Sequence, residues 1–117
     1  MDPAAVSLCH CTDCQAISGS AFRANVPAPA ATFRLLRGET RSYIKTTANS
    51  GNKRRHAFCG ECGAGIYATA PENPTSYGLR IGTLRQRREL TPARQIWRSS
   101  ALPWVDAIGD IPKVERQ

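Results

Sequence analysis

The chain breaks into short extended runs separated by glycine, proline and small polar residues. Val6 to Cys11 reads as the end of a strand entering a loop. Thr12 or Asp13 then caps a short helical turn through Ile17, stopped at Gly19. Phe22 to Val26 carries alternating bulk and reads as a strand. Pro27 and Pro29 end it or confine it to an edge, because proline has no N–H for a ladder. Thr32 to Leu36 follows as another strand, with a hairpin turn at Arg37-Gly38-Glu39. Thr40 to Thr46 sets Tyr43 and Lys45 against Ser42, Ile44 and Thr46, a period of two. Asn49-Ser50-Gly51-Asn52 is a strong turn signal. Lys53 to Phe58 is a strand that delivers Cys59, and Ile66 to Thr69 is the strand after it. Pro71 to Ser76 reads as loop. Tyr77 to Ile81 is a strand ending at Gly82, and Arg94 to Trp97 is a further short one. Ala101 to Asp106 forms one turn around Pro103-Trp104. No stretch sustains a helical pattern for three turns. Seven or so short strands with turn signals between them predict a mainly β fold.

The length, 117 residues, predicts a single domain over 1–117, enough to bury roughly two-thirds of the unfolded surface in one core. The N-terminus has neither a basic region nor a long apolar one, and no apolar run approaches the about 20 residues a membrane span needs. These features predict a soluble cytoplasmic protein. Five cysteines, an odd number, argue against a disulfide framework and for metal or redox chemistry. The formal charge is +7, and 13 of the 16 cations are arginine. Such a balance reads first as a solvated surface, and more sharply as attraction to an acidic small molecule or a nucleic acid. The cations are scattered, with local clusters at Lys53-Arg54-Arg55 and from Arg85 to Arg88. The few aromatics show no stacking-platform spacing, which argues against a nucleic-acid partner.

The cysteines fall in two clusters: Cys9, Cys11 and Cys14, then Cys59 and Cys62. Cys9 and Cys11 share one side of an extended backbone. Cys14 returns to them if the chain turns after Thr12-Asp13. Three converging thiolates suit zinc, which is tetrahedral, thiolate-loving and redox-silent. Cys59 to Gly63 has the form of a zinc knuckle whose glycines let amides face sulfur; a redox pair is the other reading of Cys59 and Cys62. His10 alternates away from Cys9 and Cys11, so it packs or bonds to backbone. His56 faces solvent or the sheet. Five thiols can be shared in two ways. Cys11 and Cys14 can join Cys59 and Cys62 in a four-cysteine structural site. Alternatively, Cys9, Cys11 and Cys14 hold their own ion with an open fourth position, the mark of catalytic zinc. Spacing leaves both open.

Three motifs occur in order: Cys-His-Cys-x-x-Cys-Gln-x-x-Ser-Gly-Ser-Ala-Phe from Cys9, Phe-Cys-x-x-Cys-Gly from Phe58, and Gln-Ile-Trp-x-x-Ser-x-Leu-Pro-Trp from Gln95. Together they resemble the glutathione-dependent formaldehyde-activating enzyme family, to which the domain of centromere protein V is similar. The resemblance runs from about Leu8 to Trp104. It implies a β-tent-type fold of small twisted antiparallel sheets around zinc sites, with a catalytic zinc on Cys9, Cys11 and Cys14. It also implies that Cys59 and Cys62 supply half of a structural zinc. In the family the other half comes from an N-terminal Cys-x-Cys-Gly strand about twenty residues before the catalytic loop. Only eight residues precede Cys9 here and none is cysteine, so either the start was assigned late or this member lacks that strand.

The implied activity is a carbon–sulfur lyase step like that of S-(hydroxymethyl)glutathione synthase, with glutathione or a similar small thiol as substrate. Gln15, Ser18, Gly19, Ser20 and Arg23 follow the thiol loop and are the nearest candidates to bind that substrate or stabilise the thiolates. Ser18 and Ser20 serve equally well as capping and turn residues. Trp97 and Trp104 read as core or as pocket lining. Two further functions compete: a zinc-stabilised binding module without catalysis, and a truncated, inactive family member.

Overall fold

A computed structural model of the chain describes residues 1–47 and 51–117. The expected turn at Asn49-Ser50-Gly51-Asn52 falls in part on residues outside that description. Among the described residues seven strands are hydrogen-bonded in one order, β3-β4-β5-β6-β2-β1-β7. They are β1 (Ser7–Cys9), β2 (Arg23–Pro29), β3 (Thr40–Lys45), β4 (Arg54–Cys59), β5 (Gly65–Thr69), β6 (Ser76–Arg80) and β7 (Arg94–Ile96). All neighbours are antiparallel except β1 and β7. The one α-helix among the described residues, α1, spans Thr12–Ser18 between β1 and β2. The architecture is therefore mainly β, as expected.

Three expectations need correction. Thr32 to Leu36 is not a strand: Ala30–Thr32 is a 3-10 turn, and Phe33 instead stacks on Tyr77 at 4.0 Å and meets Tyr67 edge-on at 5.2 Å. The bend at Arg37-Gly38, with Gly38 at φ +75°, therefore closes no hairpin. The second correction concerns Pro27, which lies inside β2; the strand ends at Pro29. β2 is an interior strand, yet its ladder to β1 covers only Arg23 to Asn25, while its ladder to β6 continues to Pro29. The prolines begin where the β1 ladder has run out, and the Pro27 carbonyl there accepts from the Asp2 amide at 3.0 Å. Third, Trp97 and Trp104 are about half exposed, at 49% and 55%, so neither is core.

Strand register sorts the side chains onto two faces. Val26 pairs with Leu79, and Val6 and Leu90 join them in a small core with Ile81 and Leu84. The opposite parity runs through the pairs Cys9–Arg23, Asn25–Arg80, Gly78–Ala68, Ala68–His56, His56–Tyr43 and Arg54–Lys45. One face thus carries nearly all of the chemistry. That face is concave. In a flat sheet β3 and β1 would lie about 24 Å apart, five strand spacings. Lys45 Nζ on β3 nonetheless reaches Asp13 on α1, just after β1, at 3.0 Å. The sheet curls until its far edge meets the helix, and Thr47 adds a hydroxyl bond to the same carboxylate at 3.4 Å.

Candidate metal centre and adjoining cleft

The thiol loop is built from the end of β1 and the start of α1. Cys11 is the helix N-cap, and its Sγ accepts from the Cys14 amide at 3.3 Å. Sulfur takes the capping role expected of Thr12 or Asp13. The helix ends as expected at Gly19, whose φ of +64° is the left-handed conformation glycine adopts freely. This turn brings Cys14 back toward Cys9 and Cys11. The three Sγ atoms lie within 4.8 Å of one another, with Cys9 and Cys14 buried.

Three thiols at that separation fit a soft tetrahedral ion. Sulfurs around zinc are about 3.8 Å apart for bonds of about 2.3 Å, so only a small contraction separates this arrangement from a ligating one. The cluster could hold a metal ion, and among the described residues no other Cys, His, Asp or Glu joins it. Cys59 and Cys62 lie outside it, so the four-cysteine site with Cys11 and Cys14 is not formed. The pair is free rather than disulfide-bonded. It does form a knuckle, with Gly63 at φ +78° and its amide on the Cys59 carbonyl at 2.8 Å. The amides of Cys62 and Glu61, then the Cys62 side chain, hold the Cys59 thiol below its ordinary range.

The third sequence motif buttresses the first. The His10 amide donates to the Ile96 carbonyl at 3.0 Å. The His10 ring is fully buried, with Nε2 2.7 Å from Gln95 Oε1 and its edge on Phe22. Gln15 Nε2 donates to the carbonyls of His10 at 2.8 Å and Ser100 at 3.0 Å. Gln15 thus ties the loop to the segment after β7. His10 packs as expected, but its bond is to a side chain rather than to backbone.

A cleft of about 540 Å³ lies over the concave face, lined among others by Ile17 and Ser18 of α1, Arg23, Tyr43, His56 and Arg80. Arg23 connects it to the thiols, since its Nε donates to Cys14 Sγ at 3.0 Å. Ser18 places its hydroxyl 3.4 Å from the Gln15 carbonyl and 3.3 Å from that of Phe22. Gln15, Gly19 and Ser20 do not line the cleft; the Ser20 amide closes the helix end on the Gln15 carbonyl at 3.3 Å. Trp97 and Trp104 are also absent from its lining.

Sequence reading passed over two residues of this cleft. His56 is 8% exposed, so of the two expected placements its ring takes the sheet rather than solvent, and its Nδ1 lies 2.9 Å from Arg80 Nη2. A guanidinium can only donate, so Nδ1 is the acceptor and the ring proton sits on Nε2. Burial, then the charges of Arg80, Lys45, Arg23 and Arg54, push the imidazole down to about 4. Arg80 is lowered to about 10 by burial and Arg23; Cys14 opposes this, Arg54 adds to it and Cys9 opposes it again. Arg54 is lowered by burial, then by Arg23. Nothing in the sequence around Arg80 or His56 singles either out. Their meeting depends on strands β4 and β6 being next-but-one in the sheet.

No helix among the described residues is long and apolar enough to cross a membrane. No curated protein matches the chain. A crystal structure of a Rhodobacter sphaeroides protein shares the fold with a TM-score of 0.55 at 21% identity, over 77% of this chain and 79% of that one. The family model of the glutathione-dependent formaldehyde-activating enzyme matches residues 1–100, a span that takes in the thiol loop, the knuckle and the strand behind them. On that match the chain belongs to the glutathione-dependent formaldehyde-activating enzyme family.

Proposed function

We propose that this chain is a zinc-dependent carbon–sulfur lyase that joins a small thiol such as glutathione to formaldehyde, or releases it. The observation that carries the reading is Arg23, which lines the cleft and also donates to the sulfur of Cys14 in the three-thiol cluster. Zinc held by Cys9, Cys11 and Cys14 would supply a position where a thiol loses its proton yet stays nucleophilic. In the overall reaction a sulfur–carbon bond forms, the carbonyl oxygen becomes a hydroxyl and the thiol proton ends on that oxygen. The chain's own residues orient the partners. Arg23 offsets the negative charge of the thiolates, and Ser18 offers a hydroxyl beside the cleft. Gln15 fixes the loop from behind, and Gly19 and Ser20 set the helix end that leads into Arg23. Cys59 and Cys62 serve as a knuckle beside the cleft, which Gly63 and Ala64 help to line. A binding module needs no cleft beside its metal, which favours the enzyme over that alternative.

A thiol and formaldehyde combine unaided, so the test is acceleration. Exchange NMR of glutathione with formaldehyde, with zinc-loaded chain present, should show faster interconversion with the adduct than buffer alone. Cys11→Ala should abolish both the acceleration and the bound zinc, whereas Cys62→Ala should retain the zinc of the first cluster. Folded, zinc-loaded chain that leaves the exchange rate at the buffer value would overturn the proposal.

A further inference from the structure

Arg80 occupies the concave face with no carboxylate among the described residues for its charge. Its Nη1 donates to Asn25 Oδ1 at 2.8 Å and its Nη2 to His56 Nδ1 at 2.9 Å. Both acceptors are neutral. The ion pairs among the described residues are Lys45–Asp13 and Arg98–Asp106, so Arg23 and Arg54, the cations nearest to Arg80, lack a carboxylate as well. Holding these guanidiniums part-buried has a cost: burial, and after it the charge of Arg23, lowers both Arg80 and Arg54. Proteins hold such clusters where an anion arrives to balance them.

The fork is also held in place. A Cβ on Gly78 would lie 2.7 Å from Asn25 Nδ2, so Asn25 seats directly on that glycine. His56, held through its Nδ1, keeps its Nε2 proton buried with no partner among the described residues. Arg80 thus reaches from β6 to acceptors on β2 and β4, and all three strands border the cleft it lines with His56.

We infer that Arg80 is the anchor for a carboxylate of the thiol substrate, positioned by Asn25 and His56, so that the cleft selects small thiols bearing an acid group. The inference rests on the thiol reading of the site and adds to it the residue that determines specificity. A competing role for Arg80 is to answer the charge of Cys9 and Cys14.

S-methylglutathione separates these roles, because it keeps both carboxylates and has no free thiol. Its affinity for the zinc-loaded chain would be measured by calorimetry beside that of its diethyl ester. The acid should bind about tenfold or more tightly than the ester. Arg80→Gln should remove that preference at unchanged zinc content, and Arg80→Lys should restore part of it. The Arg80 Nε–H resonance of the unmutated chain should move with the acid and not with the ester, a readout that needs no variant. Equal binding of acid and ester, no binding of either, or an unmoved Arg80 resonance would overturn the anchor. So would an Arg80→Gln chain that loses zinc while binding the acid normally, which would assign Arg80 to the thiolates. Loss of the anchor with adduct exchange still accelerated would refute this inference alone. An intact anchor without acceleration would refute the lyase instead.

Discussion

Replacing Arg23 with methionine keeps most of the side-chain stem and removes the donor 3.0 Å from Cys14 Sγ. A hydrogen bond to a charged group contributes about 1.5–3 kcal/mol. Arg23 is only half-buried, which places it toward the lower end through solvent screening. Each 1.4 kcal/mol is about tenfold in an equilibrium constant, so zinc affinity should fall roughly tenfold, within the range for groups that orient metal ligands. A competition titration against a chromophoric chelator measures this on wild type, Arg23→Met, Arg23→Lys and Arg54→Met. Arg23→Lys should lose less, because it retains a charged donor with poorer directionality. Arg54 belongs to the same cation cluster, with Arg23 among the charges acting on it, but no bond from it to sulfur is seen, so Arg54→Met should stay within about threefold of wild type on the same scale. An Arg23→Met chain that folds and binds zinc as tightly as wild type would refute the argument. An equal loss in Arg54→Met would transfer the effect from the hydrogen bond to the general positive field.

The remaining expectations concern the frame around the site. His56 is held neutral, with its folded value at about 4 against 6.5 for a free imidazole; between those values the unfolded chain binds a proton that the folded chain refuses, so stability rises with pH through that window and is complete above it. Urea midpoints at pH 4.5 and 7 should therefore differ, and His56→Gln should narrow the gap; an unchanged gap would mean that another group titrates. Lys45→Met removes the ion pair that closes the curled sheet on α1, and with Asp13 37% exposed the loss should be at most about 1 kcal/mol, or roughly 3–5 °C in Tm; a fall beyond about 10 °C would show that the pair contributes as a buried one. Gly78→Ala must displace Asn25 and should weaken carboxylate binding several-fold while zinc content stays the same; unchanged binding would show that Asn25 does not hold the fork.

Where the reading of the chain missed, the missing quantity was a partner. Thr32 to Leu36 has strand-like alternation but no neighbouring strand, and Phe33 packs on Tyr67 and Tyr77 instead. Pro27 and Pro29 are poor strand residues only where a ladder needs their amides, and the short β1 makes no such demand there. The tryptophans were read from bulk alone, and bulk does not decide exposure.

The convergence of Cys9, Cys11 and Cys14 was determined by the sequence itself. Six residues hold all three thiols, and the two-residue period, one turn of helix and a glycine stop suffice to bring them together. The knuckle at Cys59 to Gly63 is local in the same way. The cleft is not local. Arg23, Arg80 and His56 come from β2, β6 and β4, and a slip of one residue in any of those registers would turn a side chain to the other face. Only the order of the strands, their register and the curl that brings Lys45 to Asp13 decided that these cations share one concave surface beside the thiols.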